Sequence, residues 1–547
     1  MAETNTVIDT SDISLLYPDA DSLRRHSRGE ELARLSMQTA EQLELYYLMD
    51  LKTCDFGSFY TADPEVILYR QSTFADMLAN PELSHILTKM IPLLNDITEL
   101  RRMGAESAAS TEAYLYSITE VELYTSLLDL LKSNLLPLAP HFRSTAFKRF
   151  AERINVLTAS EYYRDLNERL SELTSRVREI KSITIGVNLD SQLRAEKAGV
   201  LSMNNEPFKS GELLDKMLRL DFKSDEMTCI APLIPFRKGQ ADNQQLALSN
   251  AFNGAINDVF RSSIRAWKKV IQMYVLENTD FLIRMMPEIE FVTKATDLLL
   301  RLRDKGCHLT SPVIAPMAEK KFTAKALCNP IVACKLDTPV IPNDFSFDDE
   351  GMIYVLTGPN RGGKSVITCA VGIAFVMAQL GLPVCADECV ISPCDQIFTH
   401  FPTGSEDTID KGRLGEECAR LDAIFDTLTE HSVALLDESL SSTGSYEASY
   451  IASEVLAGLS RVGCHCIFST HLHELAAEID RINERAKTEG GAPIDTLVAG
   501  IEEAGKRSFR ILRAKPDGKS YARDIARKYG LTYDNIIEKI NHHMKGD

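Results

Sequence analysis

The sequence predicts a chain of two architectures: a mainly α-helical first part, then an α/β domain on a mostly parallel sheet from about residue 311. Three observations predict this. Apolar residues recur at helical spacing through most of the first 310 residues. Beyond Pro312 and Pro316, short apolar runs alternate with helical ones, the pattern of parallel strands covered by helices. Within that second part, Gly358 to Ser365 fits G-x-x-x-x-G-K-[ST], set between a strand-like run, Met352 to Leu356, and the helically spaced Val366, Ile367, Ala370, Ile373, Ala374 and Met377.

Taken in order, residues 1 to about 50 are charged and helix-prone, with leucines only loosely periodic. Pro64 and Pro81 suit the first turns of helices, with Asp63 and Asn80 as caps. From Thr158 to Lys181, Leu166, Leu170, Leu173, Val177 and Ile180 alternate at intervals of four and three, which reads as a coiled-coil seam, a long packed helix, or an ordinary surface helix with one apolar stripe. The period then shortens: Ile183, Ile185, Val187 and Leu189, followed by Gly199 to Met203, predict a small strand pair. Helix returns from 245 to 305 and ends at Gly306, which places a boundary near 310. A helical piece from Ser520 to Met544 closes the chain.

With 547 residues, 44% of them hydrophobic and 25% charged, the chain has ordinary globular composition and room for roughly three or four domains. Its formal charge of −18 argues against a protein that coats nucleic acid non-specifically, although a local basic groove on an acidic body is compatible with it. The 12 cysteines include no C-x-x-C pair, and the first residues lack the features of a signal peptide. The expectation is a cytoplasmic protein with its cysteines in the core. No apolar run approaches a membrane span.

The chemistry concentrates around the glycine loop. Gly358, Gly362 and Gly363 allow main-chain N–H groups to converge on phosphate oxygens, and the helix start adds positive dipole there. Pro359, Asn360 and Arg361 fill the variable positions of the loop. Lys364 is expected on the β- and γ-phosphates, and Ser365 supplies a hydroxyl for Mg²⁺. Val433 to Leu436 is an apolar strand ending in two carboxylates. Asp437 is expected to hold Mg²⁺, and Glu438 to orient and polarise the attacking water. Cys464 to Thr470 is another strand, and His471 just after it is placed to bond the γ-phosphate or the attacking water. His471-x-His473-Glu474 does not read as a zinc site, because residues two apart do not share a helix face.

Five stretches together resemble the MutS family of DNA mismatch-repair and recombination ATPases. They are Val340-Ile-Pro-Asn-Asp344, Thr357-Gly-Pro-Asn-Arg-Gly-Gly-Lys-Ser365, Leu436-Asp-Glu-Ser-Leu-Ser-Ser-Thr-Gly-Ser-Tyr446, Ser469-Thr-His-Leu-His-Glu-Leu475, and Lys519 to Arg527 followed by Gly530-Leu531. Tyr69-Arg-Gln71 and Asn80-Pro-Glu-Leu83 resemble the family's helical core more weakly. The resemblance implies a P-loop ATPase domain of the ABC class at 311–547, a helical core at 1–130, and long lever helices at 131–310 with a small strand insertion near 183–203. Two departures stand out. The amino-terminal mismatch-reading domain with its Phe-x-Glu wedge is expected to be missing, making this a short form. Gly412-Arg-Leu-Gly-Glu-Glu417 replaces the Gly-x-Ser-Thr-Phe type sequence that reaches the partner subunit's nucleotide.

The resemblance implies an ATP hydrolase with Mg²⁺ that moves levers or a clamp on DNA, more suited to distorted or branched duplex than to a single mispair. It also implies a homodimer through the ATPase domain and a possible repair-protein partner. A regulatory or scaffolding ATPase that binds protein rather than DNA is the alternative, favoured by the acidic charge. Basic clusters at Arg143 to Arg153 and Arg261 to Lys269 favour DNA. The ATPase of a membrane transporter is the weakest candidate, since the Leu-Ser-Gly-Gly-Gln signature is absent.

Overall fold

A computed structural model describes residues 13–544 except 31–32, 50–55, 107–110, 162, 169, 172–180, 194, 205, 207–233, 236–279, 337, 360–361, 403–411, 502–506 and 516–528. It divides into two compact units, one of 1–13, 82–142 and 147–289, the other of 14–81, 143–146 and 290–547. These units do not follow the expected divisions near 130 and 310, which remain a division by sequence.

In the first unit, helices Pro81–Glu106 and Thr111–Asn134 bury Leu83, Leu87, Met90, Leu94, Leu127, Leu128 and Leu131. Arg101 joins them by pairing with Glu120 at 2.5 Å and with Asp280 at 2.7 Å. The helix expected from Thr158 is interrupted at its start. Helix Thr145–Ala159 ends first, and the Ser160 hydroxyl accepts from Tyr163 N at 3.2 Å to start a new turn. Leu166 and Leu170 are buried, while Leu173, Val177 and Ile180 lie outside the described residues. Strands β1 (Ser182–Leu189) and β2 (Ala195–Asn204) pair antiparallel, and the short β3 (Ile234–Pro235) adds to β2.

The second unit carries the rest. Asp63 caps helix Pro64–Ala79 by accepting from Glu65 N at 3.0 Å, with Pro64 in the first turn. Asn80 behaves differently from its expected role: its amide donates back to Asp76 O at 2.9 Å, closing the helix it follows. Within this helix Tyr69 donates to Ser14 O at 3.0 Å, Arg70 Nε to Leu16 O at 3.1 Å, and Gln71 to Pro312 O at 2.9 Å. The motif that resembles a helical core thus ties residues 14–16 and 312 into one body.

Strands β4 (Leu309–Thr310) and β9 (Val384–Cys385) form a small antiparallel pair. A four-stranded sheet runs in the order β5 (Val313–Ile314), β10 (Glu388–Ile391), β6 (Phe322–Leu327), β7 (Asn343–Phe347). The principal sheet has six strands, in the order β11 (Ile397–His400), β12 (Val433–Asp437), β13 (His465–Ser469), β8 (Ile353–Thr357), β14 (Ile494–Ile501), β15 (Arg507–Arg513). All neighbours are parallel except β14 and β15. Strands β8, β12 and β13 are buried along their whole length, which is why they read as continuous apolar runs rather than alternating ones.

Helix Lys364–Gln379 follows β8 and is buried from Ile367 onward except at the half-buried Cys369. Phe375 stacks on Phe322 of β6 at 4.9 Å. A side chain at Gly372 would stand 2.6 Å from Leu435 of β12 and 3.1 Å from Leu43, so glycine there permits close approach on both sides. Val366, placed by spacing on the apolar face, is exposed instead.

Candidate functional site

The register of the parallel sheet decides where its polar residues stand. Leu436 pairs with His400, Asp437 with Ser469, Ser469 with Leu356, and Val498 with Thr357. Four adjacent strands therefore finish together, and the glycine loop leaves from the same edge, the carboxyl edge where open parallel sheets bind ligands.

Gly358 has φ of +138°, and a side chain there would meet Ala499 of β14 at 2.7 Å. One at Gly362 would lie 2.8 Å from Pro359 O. Gly363, with φ of +100°, precedes the helix and gives it no side-chain cap. The first-turn N–H groups of a helix have no partner within it, so this end offers donors and positive dipole to an anion. Lys364 is 4% exposed; its Nζ donates to Gly358 O at 3.0 Å and stands 4.0 Å from Glu438 Oε1. Burial lowers its pKa, while Glu438 and Asp437 act in the opposite sense. Ser365 is exposed in the same first turn.

Asp437 ends β12 and is buried, with Oδ1 lacking any hydrogen bond among the described residues. Glu438 is 35% exposed and anchored through its N–H to Ser469 O at 2.8 Å. Its φ is +47° and that of Leu440 is +63°. Two non-glycine residues in the left-handed region within three positions are costly, and such conformations gather at functional turns. The structure therefore brings together Gly358, Pro359, Gly362, Gly363, Lys364, Ser365, Asp437 and Glu438. Asn360 lies outside the described residues. His471 is exposed two residues beyond β13, with no hydrogen bond or ion pair to these residues among those described.

Three further residues belong to this edge. The hydroxyls of Thr357 and Ser469 are buried without a partner among the described residues, like Asp437 Oδ1. His400 shares a 2.7 Å hydrogen bond between Nδ1 and Ser439 Oγ, its Nε2 is buried without a partner, and burial pushes its pKa down to about 4. Strand-terminal Thr, Ser and His carry no signal by type. A search for polar residues ending consecutive apolar runs would have found them. Buried polar atoms normally have partners, so a cluster without them at one sheet edge fits a group that brings its own donors, acceptors or positive charge.

Gly412, with φ of +66°, opens helix Gly412–Phe425, and Gly415 lies in its first turn. Glu417 accepts from Ser442 at 3.0 Å, linking that helix to the turn after Glu438. In the Arg143 to Arg153 cluster, Lys148 and Arg149 are exposed, but Arg153 is buried with its guanidinium 5.8 Å from the centre of the Phe281 ring. Arg261 to Lys269 and Lys519 to Arg527 lie outside the described residues. Among those described, no group of His, Cys, Asp or Glu side chains is arranged as a metal cage, and no helix is long and apolar enough to cross a membrane.

Fold and site define a mixed α/β domain with its polar residues gathered at the carboxyl edge of a mostly parallel sheet. Residues 354–541 match MutS domain V, and residues 62–305 match the MutS2 N-terminal domain. The chain belongs to the MutS family, in agreement with the resemblance carried by its motifs. It is 28% identical over 323 residues to the DNA mismatch repair protein MutS of Prochlorococcus marinus (strain MIT 9301), covering 57% of this chain and 34% of that one. It is 33% identical over 211 residues to MutS of Roseiflexus castenholzii, covering 37% of this chain and 18% of the relative. Against the DNA mismatch repair protein Msh6 of Gallus gallus it is 36% identical over 148 residues, 25% of this chain and 11% of the relative. The chain thus spans about a third or less of these relatives' lengths.

Proposed function

We propose that this chain is a MutS-like DNA-binding ATPase of DNA mismatch repair or recombination, which couples ATP binding and hydrolysis to lever or clamp movement on distorted or branched duplex. The observation that carries the ATPase reading is the buried Lys364 beside Glu438 at 4.0 Å, on a sheet edge where Thr357, Asp437 and Ser469 hold unpartnered polar atoms. In this reading the loop is a P-loop of ABC class. Gly358, Pro359, Asn360, Gly362 and Gly363 present its backbone to the phosphates, and Lys364 exchanges its bond to Gly358 O for phosphate oxygens. Ser365 and Asp437 would hold Mg²⁺, whose contribution when bound is to neutralise charge between the β- and γ-phosphates. Glu438 orients the attacking water, and His471 contacts the γ-phosphate or that water.

The DNA reading rests on the family and its named relatives. Together with it go a homodimer through the ATPase domain, a repair-protein partner and a cytoplasmic location. Movement requires that the ATP and ADP states make different contacts, since a nucleotide bound equally in both shifts nothing. Segments 1–130 and 131–310 would then serve as core and levers, and 311–547 as the motor.

The test measures binding of the full chain to homoduplex, singly mismatched and branched DNA at two salt concentrations, without nucleotide and with ADP or a non-hydrolysable ATP analogue. Salt-sensitive binding that changes with nucleotide is expected, strongest on branched or distorted duplex. ATP turnover without binding to any DNA would replace this reading with a scaffolding ATPase that binds protein. In parallel, Glu438→Gln should retain ATP while turnover falls roughly 10²–10⁴-fold. Unchanged hydrolysis in that variant removes Glu438 from its role.

A further inference from the structure

Away from the nucleotide edge, three thiols meet where β4 and β9 pair. Leu309 lies opposite Cys385 in that antiparallel register, which places Cys307 diagonally across from Cys385 on the same face. Cys328 N donates to Cys385 O at 2.8 Å, bringing the third residue alongside. Cys307 and Cys385 are buried and Cys328 is partly exposed. The next residue, Asn329, caps helix Pro330–Lys335 through Oδ1, which accepts from Ile331 N at 2.9 Å. Its Nδ2 donates to Val366 O at 2.8 Å, in the first turn of the helix that begins at Lys364.

We propose that Cys307, Cys328 and Cys385 form an oxidation site in which Cys307 closes a disulfide with one of its two thiol neighbours, and that Asn329 passes the change to the nucleotide helix. The thiol chemistry stands alone; the transmission rests on the nucleotide site proposed above. The co-reactant is a peroxide. The Cys307 thiolate attacks hydrogen peroxide, breaking its O–O bond to give a sulfenic acid and hydroxide. The neighbouring thiol, giving its proton to that hydroxide, attacks the sulfenic sulfur and expels a second hydroxide, which leaves as water with the proton taken up from solvent. In sum, two thiols and one peroxide give one disulfide and two waters. Hydrogen bonds from Cys328 and then Cys385 hold the Cys307 thiol well below its ordinary range, and the same bonds push the other two up. That direction suits Cys307 to the attacking role.

The experiment treats the reduced full chain with hydrogen peroxide, blocks remaining thiols with N-ethylmaleimide in denaturant, and maps peptides by mass spectrometry without reduction. The expected product joins Cys307 to Cys328 or Cys385, is reversed by dithiothreitol and is missing from Cys307→Ser. Recovery of all three residues as blocked thiols, or a link from Cys307 to Cys334 instead, overturns the site. Should Cys307→Ser fail to fold, mapping of the unaltered chain still decides. The second readout is affinity for a fluorescent ATP analogue, expected to fall several-fold in the linked protein and to recover on reduction. Equal affinity in the linked and reduced forms overturns the transmission. If the reduced protein binds no analogue, the nucleotide assignment fails while the map still judges the thiols.

Discussion

The two ends of helix Lys364–Gln379 treat buried polar groups in opposite ways. At its C-terminal end Gln379 is saturated: Oε1 accepts from Tyr60 Oη at 2.9 Å and Cys394 N at 3.1 Å, and Nε2 donates to Thr61 O at 3.0 Å and Cys394 O at 2.8 Å. At its N-terminal end no side chain caps the helix, Lys364 reaches a single carbonyl and a carboxylate at 4.0 Å, and Thr357, Asp437 and Ser469 keep unpartnered atoms. The same helix in the same unit is closed at one end and open at the other. A saturated cluster holds the fold; an unsaturated one costs stability that an arriving ligand can offset.

Lys364→Met should separate the two ends most sharply. The substitution keeps the aliphatic stem but removes a buried cation with no carboxylate in hydrogen-bond contact, and the loss of phosphate contacts should lower ATP turnover roughly 10²–10³-fold. Thermal or denaturant stability without nucleotide should stay within about 1 kcal/mol, because the desolvation cost of the ion disappears together with its bond to Gly358 O. A large stability loss would mean that Lys364 holds the loop rather than waiting for a ligand.

Gln379→Leu makes the opposite demand. It leaves Tyr60 Oη with only Cys394 Sγ at 3.4 Å and strands Thr61 O and the Cys394 backbone groups in the core, and denaturant unfolding should show a loss of about 3 kcal/mol or more. Turnover per folded molecule should change little. A stability change under about 1 kcal/mol would show that the closed end relaxes or takes in water.

How much of this was legible in the sequence follows from the range of the interactions. The glycine loop, its flanking strand and helix, and Asp437 with Glu438 could be read because each rests on residues within one short stretch. Gln379 could not: Tyr60, its partner, lies 319 residues away. Nor could the placement of residues 14–81 with the carboxyl-terminal half, since Thr39 Oγ1 donates to Ile397 O and Gln71 Nε2 to Pro312 O across separations that periodicity does not see. Asn80 shows the same limit at close quarters. Its composition suits either end of a helix, and only the geometry shows it closing the one before Pro81. At the site, Thr357, Ser469 and His400 are ordinary strand ends until the register aligns them.

The smallest expected effect is the most discriminating one. Thr357→Val replaces a buried hydroxyl that has no partner with a methyl group of nearly the same size. At a saturated position that exchange loses a hydrogen bond and leaves another group unpaired; at an unsaturated one it removes a desolvation cost without breaking anything. Stability without nucleotide should therefore hold or rise by up to about 1 kcal/mol. If the hydroxyl serves bound nucleotide, the same variant should lose affinity for an ATP analogue by roughly fivefold, the worth of about one hydrogen bond. The two measurements then move in opposite directions on one substitution, a pattern that misfolding cannot imitate. A destabilisation approaching that of Gln379→Leu would show that Thr357 belongs to the fold's own hydrogen-bond network, and the contrast between the two helix ends would fall with it.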